Sequence, residues 1–191
     1  YIARQISRWT KQYQLSETQT VPEMNKLIEW LPEHLPPGER TSIVHGDYRL
    51  DNMILHPTEP KVLAVLDWEL STIGDPLADF TYHLMQWRMP PGGTGGGTGS
   101  LVGVDLKALG IPTEEEYVAM YCRRTHRDSV PNVDYYAAYN FFRLAGILQG
   151  IVGRVRDGTA ANANAAQMAA AVRPLAELAW KFAKRAGARE I

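Results

Sequence analysis

The chain has 191 residues, 45% of them apolar, with 20 basic and 21 acidic side chains and a formal charge of −1. That length fits one domain or one lobe of a two-lobed enzyme. The balanced charge argues against nucleic acid or an anionic membrane surface as main partner, since both ask for a basic excess.

The single cysteine, Cys122, excludes an internal disulfide and points to a reducing, cytoplasmic setting. No apolar run is long enough to span a bilayer. The opening residues, Tyr1 to Gln5, carry neither an initiator Met nor a signal-peptide pattern, and they read as the middle of a longer chain.

Ile2, Ile6, Trp9 and Tyr13 recur at helical spacing and predict a first helix. A second opens at Pro22, buries Met24, Leu27, Ile28 and Leu31, and is expected to stop at Pro32, Pro36 and Pro37. Residues 41 to 68 change period. Met53–Leu55 and Val62–Leu66 read as two short strands joined by a proline-bearing turn from His56 to Lys61. Asp75 caps a helix that starts at Pro76 and runs to about Arg88. The segment from Pro90 to Ser100 is glycine-rich and expected to be mobile. Thr113 and Glu116 match a capping box at the head of another helix. A long helix is expected from Tyr135 to about Arg156, and a last one from Ala165 to Arg185, kinked or broken at Pro174. The fold class is therefore α+β, mainly α, with a small β hairpin holding the motifs.

The chemistry is concentrated in His45-Gly46-Asp47-Tyr48-Arg49-Leu50-Asp51-Asn52 and in Val65-Leu66-Asp67-Trp68-Glu69. Asp47 is the candidate base: a carboxylate that orients an attacking hydroxyl and takes its proton. Asn52 offers a neutral oxygen suited to magnesium. Asp67 directly follows five apolar residues, where a charge is costly unless paired or metal-bound. A hairpin would bring Asn52, before its first strand, beside Asp67, at the end of its second. Arg49 is placed either to neutralise phosphoryl oxygens or in a surface ion pair. His45 reads as a loop-holding group rather than a titrating one, Glu69 as an aid at the metal or a structural acceptor, and Asp79 as a brace from the following helix. The glycine-rich run lacks the Gly-Lys-Ser/Thr ending and the flanking strand and helix of a phosphate loop. His56, His83 and His126 have no metal-ligand spacing with Cys122, which argues against zinc.

The composite of HGDYRLDN, VLDWE and Gly74-Asp75-Pro76-Leu77-Ala78-Asp79-Phe80 resembles the C-terminal lobe of the aminoglycoside phosphotransferase family, which has a protein-kinase-like fold. The resemblance spans residues 1 to about 185 and implies Asp47 as base and Asn52 and Asp67 as magnesium ligands, with ATP as phosphoryl donor. Arg143 to Ile151 and Trp87 to Gly92 are similar to the branch attached to some acyl-CoA dehydrogenases, which implies a hydroxy-acyl acceptor rather than an antibiotic. No stretch of residues 1–191 matches that family's nucleotide-covering loop and ATP-orienting lysine. The expectation is the helical acceptor and metal half of an ATP-dependent small-molecule O-kinase. A non-catalytic kinase-like binding module is the alternative. A metal-dependent hydrolase is a weaker third, given the scattered histidines. The expected partner is a small molecule bearing a hydroxyl, and no feature of the sequence specifies an oligomeric state. Glu114 to Glu116 read either as a patch for a polycation or as acids complementing a helix N-terminus; the aromatic segment 135–152 suits an apolar acceptor or a core.

Overall fold

The computed structural model describes residues 1–38, 40–91 and 99–189. Within them, in chain order, lie α1 (Ile2–Ser16), α2 (Pro22–Glu33), β1 (Ser42–Val44), β2 (Met53–Leu55), β3 (Val62–Val65), β4 (Thr72–Gly74), α3 (Pro76–Leu84), α4 (Glu114–Thr125), α5 (Val133–Arg156) and α6 (Ala165–Arg185). Single 3-10 turns occupy Leu50–Asn52, Trp68–Leu70 and Met85–Trp87. The fold is mainly helical, as expected, and has two small sheets where one hairpin was expected.

The core is a helix bundle. Ile2, Ile6, Trp9 and Tyr13 of α1 are all buried, as their spacing requires. On α2 the buried face is Met24, Leu27, Trp30 and Leu31; Ile28 is only partly covered. Every residue of α5 from Tyr135 to Gly146 is buried, so this helix is enclosed on all sides rather than amphipathic. The aromatic segment is thus core: Tyr139, Phe141 and Phe142 are at most 1% exposed. Helices α1 and α5 approach so closely that a Cβ on Gly153 would lie 2.5 Å from the Ser16 Cβ.

The expected stop at Pro32 needs correction, and of the two alternatives for Pro174 the break does not occur. Pro32 does not stop α2 but lies in its last turn, where it removes one N–H donor one residue before the helix ends at Glu33. Pro174 lies inside one continuous α6 rather than between two helices. The caps match the sequence. The Asp75 carboxylate accepts from the Leu77 N–H at 2.9 Å, and Thr113 and Glu116 form both bonds of a capping box. Helix α3 gives way at Met85 to the 3-10 turn ending at Trp87, close to the expected end. Most of the glycine-rich segment, residues 92–98, lies outside the described residues.

Strands β2 and β3 form the expected antiparallel hairpin, with Met53 opposite Val65, Ile54 opposite Ala64 and a register shift before Leu55. The second ribbon was not evident in the sequence: β1 pairs antiparallel with β4, Ile43 opposite Ile73, and so ties the start of the motif region to its end. Both ribbons leave apolar side chains in the open. Ile43, Leu63, Leu66 and Ile73 are 65%, 51%, 46% and 58% exposed.

Candidate active site

Strand β1 delivers the chain from buried Val44 into His45, and the chain then turns sharply at Gly46. Gly46 has φ +89°, and a Cβ there would lie 2.9 Å from the Leu70 carbonyl oxygen, so conformation and space both demand glycine. Asp79 on α3 braces the turn. Its Oδ2 accepts from the His45 N–H at 2.6 Å and its Oδ1 from the Gly46 N–H at 2.9 Å. From the other side, buried Arg143 on α5 donates from Nη2 to the Gly46 carbonyl oxygen. The brace by Asp79 agrees with the sequence; nothing in the motif pointed to Arg143.

His45 is 2% exposed and bonded at both ring nitrogens. Nδ1 accepts from the Asp47 N–H at 3.2 Å, and Nε2 lies 2.7 Å from the Leu66 carbonyl oxygen. An acceptor at Nδ1 and a carbonyl at Nε2 assign the neutral, Nε2-protonated tautomer. The ring therefore links the Asp47 turn to the end of β3.

Asp47 emerges from the turn half-buried. The Asn52 Nδ2 donates to its backbone oxygen at 2.8 Å and to its Oδ2 at 3.0 Å. Arg49 Nε lies 3.6 Å from Asp47 Oδ2 and 3.6 Å from Asp51 Oδ2, near enough to feel both charges and too far for a hydrogen bond. That Nε is buried without a hydrogen-bond partner. Tyr82 packs behind. Burial above all raises its phenol pKa; the Arg143 charge opposes the rise and the Asp47 charge adds to it.

Asp67 follows β3 and adopts a left-handed conformation, φ 64°, at the head of the Trp68–Leu70 turn. The Leu66 N–H donates to the Asn52 carbonyl at 2.8 Å, so the hairpin brings Asn52 and Asp67 to one end of the ribbon. The apolar run before Asp67 does not bury it. Asp67 is exposed and has no hydrogen bond or ion pair among the described residues; the case for it as a ligand rests on a free carboxylate instead. Glu69 is likewise without such a partner. The two candidate ligands fit magnesium in donor chemistry. The Asn52 nitrogen is committed to Asp47, which leaves its oxygen free to accept, and Asp67 supplies a second hard oxygen. Among the described residues no three His, Cys, Asp or Glu side chains form a metal cluster.

Beside Arg49 opens a cleft of about 550 Å³. Leu50, Trp87, Leu101, Ile111, Pro112 and Tyr117 give it an apolar wall, and Arg49, Asp51 and His83 give it polar points. His83 packs at tilted angles against Tyr48, Trp87 and Tyr117, and burial pushes its pKa below the usual histidine value. The acidic run Glu114 to Glu116 is not a free patch: Glu114 pairs with Arg88 at 2.6 Å, and Glu116 closes the capping box. His56 accepts from the N–H groups of Thr58 and Glu59 in its own turn, and His126 caps α4.

The mainly helical fold carries Asp47, Asn52 and Asp67 in the turns that flank its short strands. The model of the phosphotransferase enzyme family (APH) matches residues 1–139, and the chain belongs to that family. It is 53% identical to a protein of known structure from Ralstonia eutropha that carries an aminoglycoside phosphotransferase name, with a TM-score of 0.89 over 97% of this chain and 56% of that one. It is 48% identical to mouse acyl-CoA dehydrogenase family member 10 over 99% of its length, and 40% identical to chicken family member 11 over 97%. It spans only 18% and 24% of those relatives.

Proposed function

We propose that this chain is the acceptor- and metal-binding half of an ATP-dependent, magnesium-dependent phosphotransferase acting on a hydroxyl of an apolar small molecule, of hydroxy-acyl rather than aminoglycoside type. The observation that carries the reading is the Asp47 carboxylate, fixed by Asn52 on a turn clamped by two helices, next to the apolar cleft. Arg49, which lines that cleft, links it to Asp47.

In this reading the acceptor lies along Trp87 and Tyr117 with its hydroxyl toward Asp47. Asp47 orients the hydroxyl and takes its proton as the oxygen–phosphorus bond forms, and the bond to the β-phosphate breaks to release ADP. Asn52 and Asp67 would hold magnesium, whose charge offsets that of the phosphate oxygens. Arg49 is then a second positive charge at the transferring group. The acceptor class is supported by the aromatic and aliphatic lining and by the engagement of Glu114 with Arg88 and of Glu116 in its capping box. The open apolar residues of the two ribbons support a further nucleotide-binding lobe packing there. A cytoplasmic site of action belongs to the same reading; the unpaired Cys122 supports it.

The test is a thermal-shift screen of the complete protein against Mg·ATP with hydroxy-acyl compounds and, in parallel, aminoglycosides. Stabilisation by Mg·ATP that grows with a hydroxy-acyl compound is expected. Stabilisation by aminoglycosides alone would overturn the acceptor class, and indifference to Mg·ATP would overturn the phosphotransferase reading.

A further inference from the structure

Arg143 is a cation in the middle of a core helix. It is 7% exposed, it forms no ion pair with any described residue, and its Nε is buried without a hydrogen-bond partner. Its guanidinium lies over the rings of Tyr82 and Trp9, 4.9 and 5.6 Å from their centroids. Burying a guanidinium with so little compensation is costly, and a core position is filled more cheaply by leucine or methionine. What the charge gains there is one directed contact, from Nη2 to the Gly46 carbonyl oxygen.

That carbonyl belongs to the peptide unit that carries the Asp47 N–H. Asp79, from α3, holds the two preceding units, one by the His45 N–H and the other by the Gly46 N–H. The turn is thus gripped at its donors by an anion and at its acceptor by a cation, from two different helices. Gly46 has no side chain to resist rotation at φ +89°, so the plane of the Gly46–Asp47 peptide is fixed by the contacts at its two ends, the His45 ring at the Asp47 N–H and Arg143 at the Gly46 carbonyl. That plane sets the direction in which the Asp47 carboxylate leaves the backbone.

We propose that Arg143 is a positioning residue for phosphoryl transfer: through the Gly46 carbonyl it fixes the orientation of Asp47, and it touches neither nucleotide nor acceptor. The inference rests on the phosphotransferase reading above. It goes beyond the family match, which ends at residue 139.

The test uses the complete protein with Mg·ATP, water serving as the acceptor, and compares wild type with Arg143→Met and Arg143→Lys. Methionine fills the volume without the donor. Lysine keeps a charge but loses the planar fork that lies on Tyr82 while reaching the carbonyl. A misaimed carboxylate lowers kcat and leaves nucleotide binding alone. The expected result is a kcat about tenfold lower for Arg143→Met, a smaller loss for Arg143→Lys and a KM for Mg·ATP within about twofold of wild type in both. Amide exchange at Asp47 should accelerate in the methionine variant while α5 stays protected. If Arg143→Met does not fold, Arg143→Lys carries the test by the same kcat and KM comparison. Folded variants with wild-type kcat, or a loss shared equally by kcat and KM, would overturn the proposal. A wild-type protein that neither hydrolyses Mg·ATP nor is stabilised by it defeats the phosphotransferase reading instead; unchanged Asp47 exchange in a folded variant defeats the clamp whatever the activity.

Discussion

Replacing Asp79 by asparagine keeps the shape of the side chain and removes its charge. In the native chain its two oxygens accept from the His45 and Gly46 N–H groups at 2.6 and 2.9 Å. Each is a hydrogen bond to a charged acceptor, worth about 1.5–3 kcal/mol. Asparagine keeps one of them as a neutral bond of about 0.5–1.5 kcal/mol and turns an NH₂ group toward the other N–H. The turn therefore loses about 3 kcal/mol of local stability, and at about 1.4 kcal/mol per tenfold its amides open roughly a hundredfold more often. Hydrogen exchange on the full-length protein reads this directly: the His45 and Gly46 amides should exchange about a hundredfold faster, and those in the middle of α5 should not change. Unchanged protection at both positions would refute the account of how the turn is held.

Gly46→Ala should destabilise the turn by about 1–3 kcal/mol from its left-handed backbone and depress turnover, whereas Gly38→Ala, where a Cβ meets nothing within 4 Å, should leave both unchanged; equal effects in paired denaturant and activity measurements would contradict this. Burial lowers the His83 pKa below 6.5, so the folded chain resists a proton that the unfolded chain accepts. Its contribution to stability is then complete above about pH 6.5 and is lost as the pH falls below it; urea midpoints between about pH 7 and pH 5 should fall less steeply in His83→Gln than in wild type. Tyr117→Ala removes a wall of the cleft and should raise the KM of an acceptor identified by the screen roughly tenfold or more, with the KM of Mg·ATP unchanged.

Much of the helical frame was legible because its signals are local. The stripe from Ile2 to Tyr13, Asp75 before Pro76, and the Thr113–Glu116 box each act within a turn or two of their own helix. The β2–β3 hairpin was legible for the same reason. Strand β4 was missed because its partner β1 is about thirty residues away and its three residues carry no period. Arg143 was missed because its partner is a backbone carbonyl 97 residues distant; the available signal was a charge inside an otherwise core-like helix, which must find some partner. The reverse error occurred at Asp67. Its apolar neighbours suggested a buried charge, yet Val62, Leu63 and Leu66 are 46–51% exposed, because apolar composition alone does not fix burial.

The central claim is that Asp47 serves phosphoryl transfer, and the most direct measurement is transfer of labelled γ-phosphate from ATP by purified full-length Asp47→Ala beside wild type. General-base removal predicts a loss of about a hundredfold or more, with cooperative unfolding retained because the turn is held by Asp79, Arg143 and His45 through its backbone. Turnover within a few-fold of wild type in a folded Asp47→Ala protein would contradict the account.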